Sequence, residues 1–268
     1  DIDEGSMRSS DLLDIAVGRI VADDVGLANA MVDKIVNYTT QASFGNWRNN
    51  YLLISDDIDR NGEQILEVKL DALGDRISTE KPFVNVKKIH SDAYQQETSA
   101  GGNRYPAVNE AIKNQIELGA VIVNYFGHGG EDGLAAEFIY TKDIANNLQN
   151  TNRYPCIVTV TCEFTKFDNP LRITAGELTY QNKTGGAVCL VTTTRSISIS
   201  LGVDFNEALA SELFGFGVET PNPPSEGLRR SKNNITTDER RVVFFIGDPA
   251  MRLAFPKRDI RLTTLNGV

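Results

Sequence analysis

The sequence is poor in the residues that bind zinc or form disulfides: its 268 residues include only two histidines and three cysteines. Cys156, Cys162 and Cys189 do not follow the paired spacing of zinc sites, and an odd number makes no disulfide framework. Cys156 and Cys189 lie in apolar runs, where buried small hydrophobic residues are expected. The sequence does not support a disulfide between them. Cys162 stands apart because polar residues flank it.

Basic clusters and long apolar runs are also missing. The net charge is −9, and the absence of a basic or aromatic–basic patch argues against nucleic-acid binding. No apolar stretch reaches the roughly 18–20 residues of a membrane-spanning helix. The first ten residues are polar, have no signal-peptide pattern and do not begin with an initiator Met. We therefore expect a fragment or a processed form.

Hydrophobic periodicity predicts strands that alternate with helices. The predicted strands cover residues 14–21, 51–54, 83–89, 120–123, 156–160, 187–191 and 242–246. The predicted helices cover residues 27–38, 64–73, 107–118, 142–148, 175–181 and 204–214. Residues 92–104 and 219–234 are predicted to be loops, since the first segment has no period and the second has three prolines. This alternation predicts an α/β fold with a mostly parallel sheet and helices on both faces.

Two successive strands of this sheet end in residues that suit catalysis. The run 120–123 leads into Asn-Tyr-Phe-Gly-His-Gly-Gly, which sets His128 on a glycine-rich loop. The run 156–160 leads into Thr-Cys-Glu, which sets Cys162 just past the next strand. Because sites in open α/β sheets form at the carboxyl ends of the strands, we expect these two side chains to meet there.

A cysteine and a histidine at one sheet edge predict nucleophilic catalysis. The thiolate would attack a carbonyl, and the imidazole would manage the protons. The backbone N–H groups of Gly129 and Cys162 are the predicted donors of an oxyanion hole. A carboxylate could orient the imidazole, and the sequence does not choose among the candidates Asp56, Asp57, Asp59 and Glu63.

Other interpretations compete with this one. A lone cysteine near a strand end is more often structural, and a Gly-His-Gly-Gly loop could cradle an anion, although no Walker-type lysine follows it. His90, at the end of an alternating strand, is expected to be structural. The Asp56-Asp57 pair could bind calcium, but an ordinary polar loop is the plainer expectation. No other cofactor is predicted.

At these residues the chain resembles the gingipain family of cysteine peptidases, and most closely its branch of type IX secretion sortases. The resembling segments keep their order along almost the whole chain, which makes the pattern specific. They are residues 16–20, 47–49, 91–95, 102–106, 124–131, 161–164, 167–168, 175–177, 185–187, 192–195, 231–233 and 247–249.

The resemblance implies a caspase-like three-layer α/β sandwich in which His128 is the general base and acid and Cys162 is the nucleophile. It places Gly129 beside the oxyanion. It also implies that the loop after residues 187–191 borders the substrate pocket. The substrate-binding candidates are therefore Glu163, Thr193, Thr194 and Arg195.

The resemblance also implies a biological role. Such a sortase removes the C-terminal sorting domain of exported cargo and can pass the cargo to an amine of anionic lipopolysaccharide. It would act on the outer face of the outer membrane, at the cell surface, held by a β-barrel partner and other secretion-complex subunits. A non-catalytic docking module of that complex is the alternative, and a nucleotide-binding α/β enzyme is a third.

The resemblance further suggests a division of the chain. Residues 1–75 would be part of a first α/β lobe that lacks its earlier strands, 76–256 the catalytic lobe, and 257–268 a tail or the start of another domain. The chain departs from the family near Asp56–Glu67, where no residue clearly matches the acid that orients the histidine. The acidic pocket with which gingipains select Arg or Lys is not identifiable either, so no preference for the residue before the cleaved bond is inferred.

Overall fold

The computed structural model describes residues 12–218, 220–235 and 237–256 of the chain. The predicted tail at 257–268 and the polar first residues lie outside this part. At the centre is a six-stranded sheet in the order β11-β10-β9-β5-β1-β2. Its strands are β1 Asn50–Ser55, β2 Asn85–His90, β5 Ile122–Phe126, β9 Cys156–Thr159, β10 Cys189–Thr193 and β11 Val243–Ile246. All neighbouring pairs are parallel except β10 and β11.

Helices cover both faces of this sheet. They are α1 Val25–Tyr38, α2 Gln64–Glu80, α3 Pro106–Leu118, α4 Lys142–Asn147, α5 Ala175–Gln181, α6 Ile199–Leu213 and α7 Pro224–Asn234. Short strands form two small sheets beside the main one. They are β3 Glu97–Ser99, β4 Gly102–Arg104, β6 Gly129–Gly130, β7 Gly133–Leu134 and β8 Tyr140–Thr141.

Alternate residues of the central strands pack into two separate cores. In β1, Tyr51 and Leu53 join the core formed with α2 and α6, whereas Leu52 and Ile54 join the core formed with α1 and α3. Successive strand side chains point to opposite faces, so a run that is apolar throughout needs a helical layer on each side. The three-layer arrangement predicted from the sequence is therefore confirmed.

Three predicted elements are wrong. Residues 14–21 do not form a strand: only Arg19 makes a β-bridge, to Ile246 of the edge strand β11, which is four residues long. Residues 92–104 are not one loop, since β3 and β4 form a hairpin there. Residues 224–234 are helical, because Pro223 and Pro224 occupy the N-cap and first position of α7, where the missing N–H costs nothing.

The predicted helices otherwise differ mainly in length. Helix α2 continues past residue 73 to Glu80, because Ile77 extends its buried face. Helix α6 begins at Ile199, where the Ser198 side chain accepts a hydrogen bond from the Leu201 N–H. The lobe boundary expected after residue 75 falls inside α2, and β1 before it pairs with β2 and β5 after it.

Helix α5 connects the loops at the carboxyl edge of the sheet. Thr174 and Glu177 form a reciprocal capping box at its start. The first N–H groups of the helix then donate outward, from Ala175 to the Glu131 carbonyl at 2.8 Å and from Gly176 to the Phe164 carbonyl at 2.9 Å. Those carbonyls belong to the loops after β5 and after β9.

Within the described residues, none of the helices has both the length and the apolarity needed to cross a bilayer.

Candidate active site

His128 lies on a loop whose backbone is held from several directions. The Tyr125 hydroxyl donates to the His128 carbonyl at 2.7 Å, and the Ala135 N–H donates to the same carbonyl at 3.0 Å. The His128 N–H donates to Asp56 Oδ2 at 2.8 Å. Gly127 is required before it, because a β-carbon there would lie 2.5 Å from the Asp56 β-carbon. The backbone at His128 is therefore fixed, while its side chain is 36% exposed.

Cys162 lies on the loop after the neighbouring strand β9. The Thr161 hydroxyl donates to the Gly127 carbonyl at 2.7 Å, which ties this loop to the histidine loop. The Cys162 thiol contacts the Ile197 carbonyl at 3.5 Å. Glu163, directly after the cysteine, has a φ of 50°, a left-handed conformation that is uncommon for a residue with a side chain. Such conformations cluster at functional sites, and this one makes the sharp turn at Cys162.

The two predicted catalytic side chains line one cleft. Its walls include His128 and Cys162, with the apolar side chains Leu66, Val160, Ile199 and Val203 around them. Cys162 is half-buried, whereas Cys156 and Cys189 are fully buried, reduced and paired in register on β9 and β10. Only Cys162 of the three is therefore open to a reactant. His90 is the last residue of β2 and contacts Ser55 and Asp71 instead of lining this cleft, in keeping with the structural role expected for it.

Glu63 is the acid that contacts the imidazole. Its Oε1 lies 3.0 Å from His128 Nε2, and its Oε2 accepts the backbone N–H groups of Asp59 at 3.0 Å and Arg60 at 2.9 Å. Burial alone would raise the pKa of Glu63, but the hydrogen bond from His128 and those backbone N–H groups outweigh it and lower the pKa. An ionised Glu63 accepts a hydrogen bond from Nε2–H of His128, which leaves Nδ1 of the neutral ring as the free base.

The other acids that the sequence offered do not contact the ring. Asp56 holds the His128 backbone, as described above. Asp57 accepts hydrogen bonds from the Tyr105 hydroxyl at 3.0 Å and from Gln96 Nε2 at 3.4 Å. Both lie beside Glu137, a buried acid that the sequence analysis did not single out. It occurs in no recognisable motif. The only sequence signal for Glu63 was its place at the start of a helix behind the β1 loop.

The predicted substrate-binding residues lie at different depths. Thr193 is fully buried, and its hydroxyl donates to the Thr161 carbonyl, so it supports the cysteine loop and cannot touch a peptide directly. Thr194 is also buried. Arg195 forms a two-point ion pair with Asp168 at 2.9 and 2.6 Å, and Glu163 pairs with Lys166 at 2.9 Å. Arg195 and Glu163 are thus the members of this set whose charged groups reach the surface.

Gly129 lies where the histidine loop packs against Thr161 of the cysteine loop. A β-carbon at this position would lie 2.6 Å from Thr161 Cγ2, so only glycine lets the loops approach this far. Gly129 also pairs with Leu134 in the small β6–β7 ladder. The assignment of the Gly129 and Cys162 N–H groups to an oxyanion hole stays a prediction.

Comparisons with known proteins identify the family and the fold of the chain. The model of peptidase family C25 matches residues 1–254. No curated protein sequence matches the chain. The crystal structure of the Arg-specific cysteine proteinase gingipain R (RgpB) superposes with a TM-score of 0.68 at 15% identity, over 93% of this chain and 57% of that one.

Two further solved structures share the fold. The complex of Porphyromonas gingivalis RgpB pro- and mature domains gives a TM-score of 0.67 at 15% identity, over 94% of this chain and 59% of that one. The Saccharomyces cerevisiae separase–securin complex gives 0.51 at 11% identity, over 81% of this chain and 13% of that one. This chain spans less than two thirds of the gingipain chains it resembles. The similarity of structure shows the caspase-like α/β fold, and the match over residues 1–254 shows that the chain belongs to peptidase family C25, the gingipain family.

Proposed function

We propose that the protein is a cysteine endopeptidase in which Cys162 is the nucleophile, His128 the general base and acid, and Glu63 the group that positions the imidazole. One observation carries the proposal. Cys162 and His128 line the same cleft, and Glu63 accepts a hydrogen bond from Nε2 of the imidazole, so that Nδ1 is available to the thiol. Membership of a family of cysteine peptidases supports it.

The reaction follows from these positions. Nδ1 of His128 accepts the thiol proton, and the Cys162 sulfur forms a bond to the carbonyl carbon of the scissile peptide. The negative charge of Glu63 stabilises the imidazolium that results, much as the aspartate does in a Ser-His-Asp triad. When the tetrahedral intermediate collapses, the C–N bond breaks and the imidazolium returns the proton to the leaving amine. An acyl-thioenzyme on Cys162 remains.

The group that attacks the acyl-thioenzyme decides whether the protein acts as a hydrolase or as a transpeptidase. Water releases an acid, and an amine forms a new peptide-like bond. We propose that the chain acts as a sortase of this second kind, which cleaves the C-terminal sorting domain of secreted cargo and transfers the cargo to a lipopolysaccharide amine. The proposed setting is the cell surface, at the outer face of the outer membrane, with a β-barrel and other secretion-complex subunits as partners. The ordered sequence segments shared with that branch support the proposal.

The alternative of a non-catalytic docking module rested on a missing orienting acid. The 3.0 Å contact between Glu63 and His128 supports the catalytic proposal over that alternative.

The sortase proposal predicts a covalent intermediate that an amine can intercept. After incubation with a cargo peptide that carries its C-terminal domain, mass spectrometry should find an acyl adduct on Cys162. Added lipopolysaccharide amine should then yield an amide product. If only the free acid forms at every amine concentration, the chain is a hydrolase and the transfer step is wrong.

The proposed dyad predicts selective alkylation. Iodoacetamide should modify Cys162 at least about 10-fold faster than Cys156 and Cys189 in the folded protein, because only Cys162 is accessible and has an imidazole in its cleft. His128→Ala should slow this reaction, and His90→Ala should leave it unchanged. Tryptic mass spectrometry over time measures the rates. Equal labelling of the three cysteines under native conditions would rule out the dyad.

The contact between Glu63 and His128 predicts a strong effect of charge removal. Glu63→Gln should lower kcat/KM for peptide cleavage by at least about 10-fold, since the amide neither stabilises the imidazolium nor enforces the tautomer. Glu67→Gln, one turn along α2 and near His90, is the matched control and should change the rate less than about twofold. Circular dichroism checks that both variants fold. Similar rates for the two variants would remove Glu63 from the mechanism.

The close approach at Gly129 predicts a contrast between adjacent glycines. Gly129→Ala should lower kcat/KM by about 10-fold to 100-fold, because the methyl group separates the histidine loop from Thr161, and small misplacements are costly in an active site. Gly130→Ala is the control, since a β-carbon there meets no atom within 4 Å. Comparable losses in both variants would show that the Gly129 contact does not set the geometry of the site.

A further inference from the structure

The catalytic cleft contains a buried polar atom without a partner. Asn206 of helix α6 lines the cleft together with Cys162 and His128, and only 2% of it is exposed. Its Nδ2 donates to the Gly202 carbonyl at 3.0 Å, whereas its Oδ1 has no hydrogen-bond partner among the described residues. Buried polar atoms are nearly always hydrogen-bonded, so an unsatisfied one in a cleft indicates a place for a ligand.

The free atom of Asn206 is the amide oxygen and not the nitrogen. A carbonyl oxygen only accepts hydrogen bonds, so the nitrogen of the amide must face the Gly202 carbonyl. The oxygen is then left on the other side of the amide. An acceptor in this position is satisfied only by an N–H or O–H group of a molecule in the cleft.

Close packing of α6 brings this amide to the cleft. Gly202 lies one turn before Asn206, and residues four apart share a face of a helix. A β-carbon at Gly202 would lie 2.8 Å from the Val160 carbonyl oxygen, so glycine lets α6 approach the end of β9 this closely. The face of α6 that carries Asn206 is therefore packed against the segment that leads to Cys162.

The rest of the cleft is small and mostly apolar. Leu66, Val160, Ile199 and Val203 form much of its wall, and none of the described residues that line it has a carboxylate. A lysine or arginine side chain would therefore lose its hydration there without gaining a counter-charge. The enclosed space is about 20 Å³, and a water molecule needs about 10–15 Å³ of such space. The cleft thus admits a hydroxyl or a methyl group and excludes long side chains.

The position of the nucleophile decides which substrate residue enters this space. The Cys162 sulfur attacks the carbonyl carbon of the cleaved bond, and the α-carbon of the residue before that bond is attached directly to this carbon. The side chain of that residue is therefore the nearest to the cysteine on the acyl side. The residue after the bond is one atom further away and leaves with the amine.

We propose that Asn206 makes the peptidase selective for threonine or serine immediately before the cleaved bond. The substrate hydroxyl donates to Asn206 Oδ1, and the methyl group of threonine contacts the apolar wall. Valine has the same shape as threonine, but it would bury Oδ1 without a partner, which is costly. This inference rests on the proposed function, because it names the substrate that the same cleft accepts.

Matched peptides test the selectivity on the unaltered protein. A cargo peptide that spans the start of its C-terminal domain is synthesised with Thr, Val or Arg immediately before the junction, and mass spectrometry locates the cleaved bond. The kcat/KM of the Thr peptide should exceed that of the Val peptide by at least about 10-fold, and that of the Arg peptide by more. Equal rates for Thr and Val would overturn the selectivity and leave the peptidase itself intact.

A pair of asparagine variants assigns the effect to Asn206. Asn206→Leu keeps a similar size and removes the acceptor, so the ratio of the Thr rate to the Val rate should fall to about one or below. Asn114→Leu, at an exposed asparagine on α3, is the control and should keep the ratio of the parent protein. Circular dichroism checks that both variants fold. An unchanged ratio in folded Asn206→Leu would show that another group selects the substrate.

Binding separates this inference from catalysis. Cys162→Ala cannot form the acyl-thioenzyme, so calorimetry with the Thr and Val peptides measures Kd alone. The Thr peptide should bind at least about 10-fold more tightly than the Val peptide. If the unaltered chain cleaves no peptide but Cys162→Ala shows this difference, the proposed peptidase is wrong and the selective cleft stands. Equal Kd values together with no cleavage would overturn both.

Discussion

The structure depends above all on the parallel pairing of β5 with β9. This pairing places Tyr125 opposite Thr159, so the loops that follow the two strands leave the sheet side by side. The hydrogen bond from the Thr161 hydroxyl to the Gly127 carbonyl then joins the loops directly. Both catalytic candidates lie within one residue of this bond. The sheet is buried on both faces and sets where the two loops begin, and the bond between the loops then holds the thiol and the imidazole in one cleft.

Acidic groups hold both the backbone and the ring of His128. Asp56 holds the backbone of His128, and Glu63 holds its ring. Glu63 in turn is held by the backbone N–H groups of Asp59 and Arg60, in the loop before α2, and these bonds help to lower its pKa. One residue thus receives a backbone contact and a side-chain contact from the same loop after β1. Several acids occur here because Asp56 positions the backbone of His128, whereas Glu63 contacts its ring.

The prediction errors have identifiable causes. The three prolines at 221, 223 and 224 suggested a loop, but proline at the N-cap and at the first position of a helix is compatible with the helix. The apolar residues within 14–21 suggested a strand, yet a strand needs a partner, and the partner edge offered by β11 is only four residues long. Periodicity reports which side chains could be buried. It does not report whether a neighbouring edge is available to pair with the segment.

The sequence by itself determined the α/β layering and the two catalytic candidates. Apolar runs followed by glycine or polar residues are local patterns, and the chemistry of cysteine and histidine needs no partner to be recognised. Only the tertiary structure decided which acid contacts His128, and that Glu137 joins Asp56 and Asp57. These contacts join residues far apart in the chain, and their distances depend on how loops leave the sheet. Local propensity does not report the direction in which a loop leaves the sheet, because packing between the layers sets that direction.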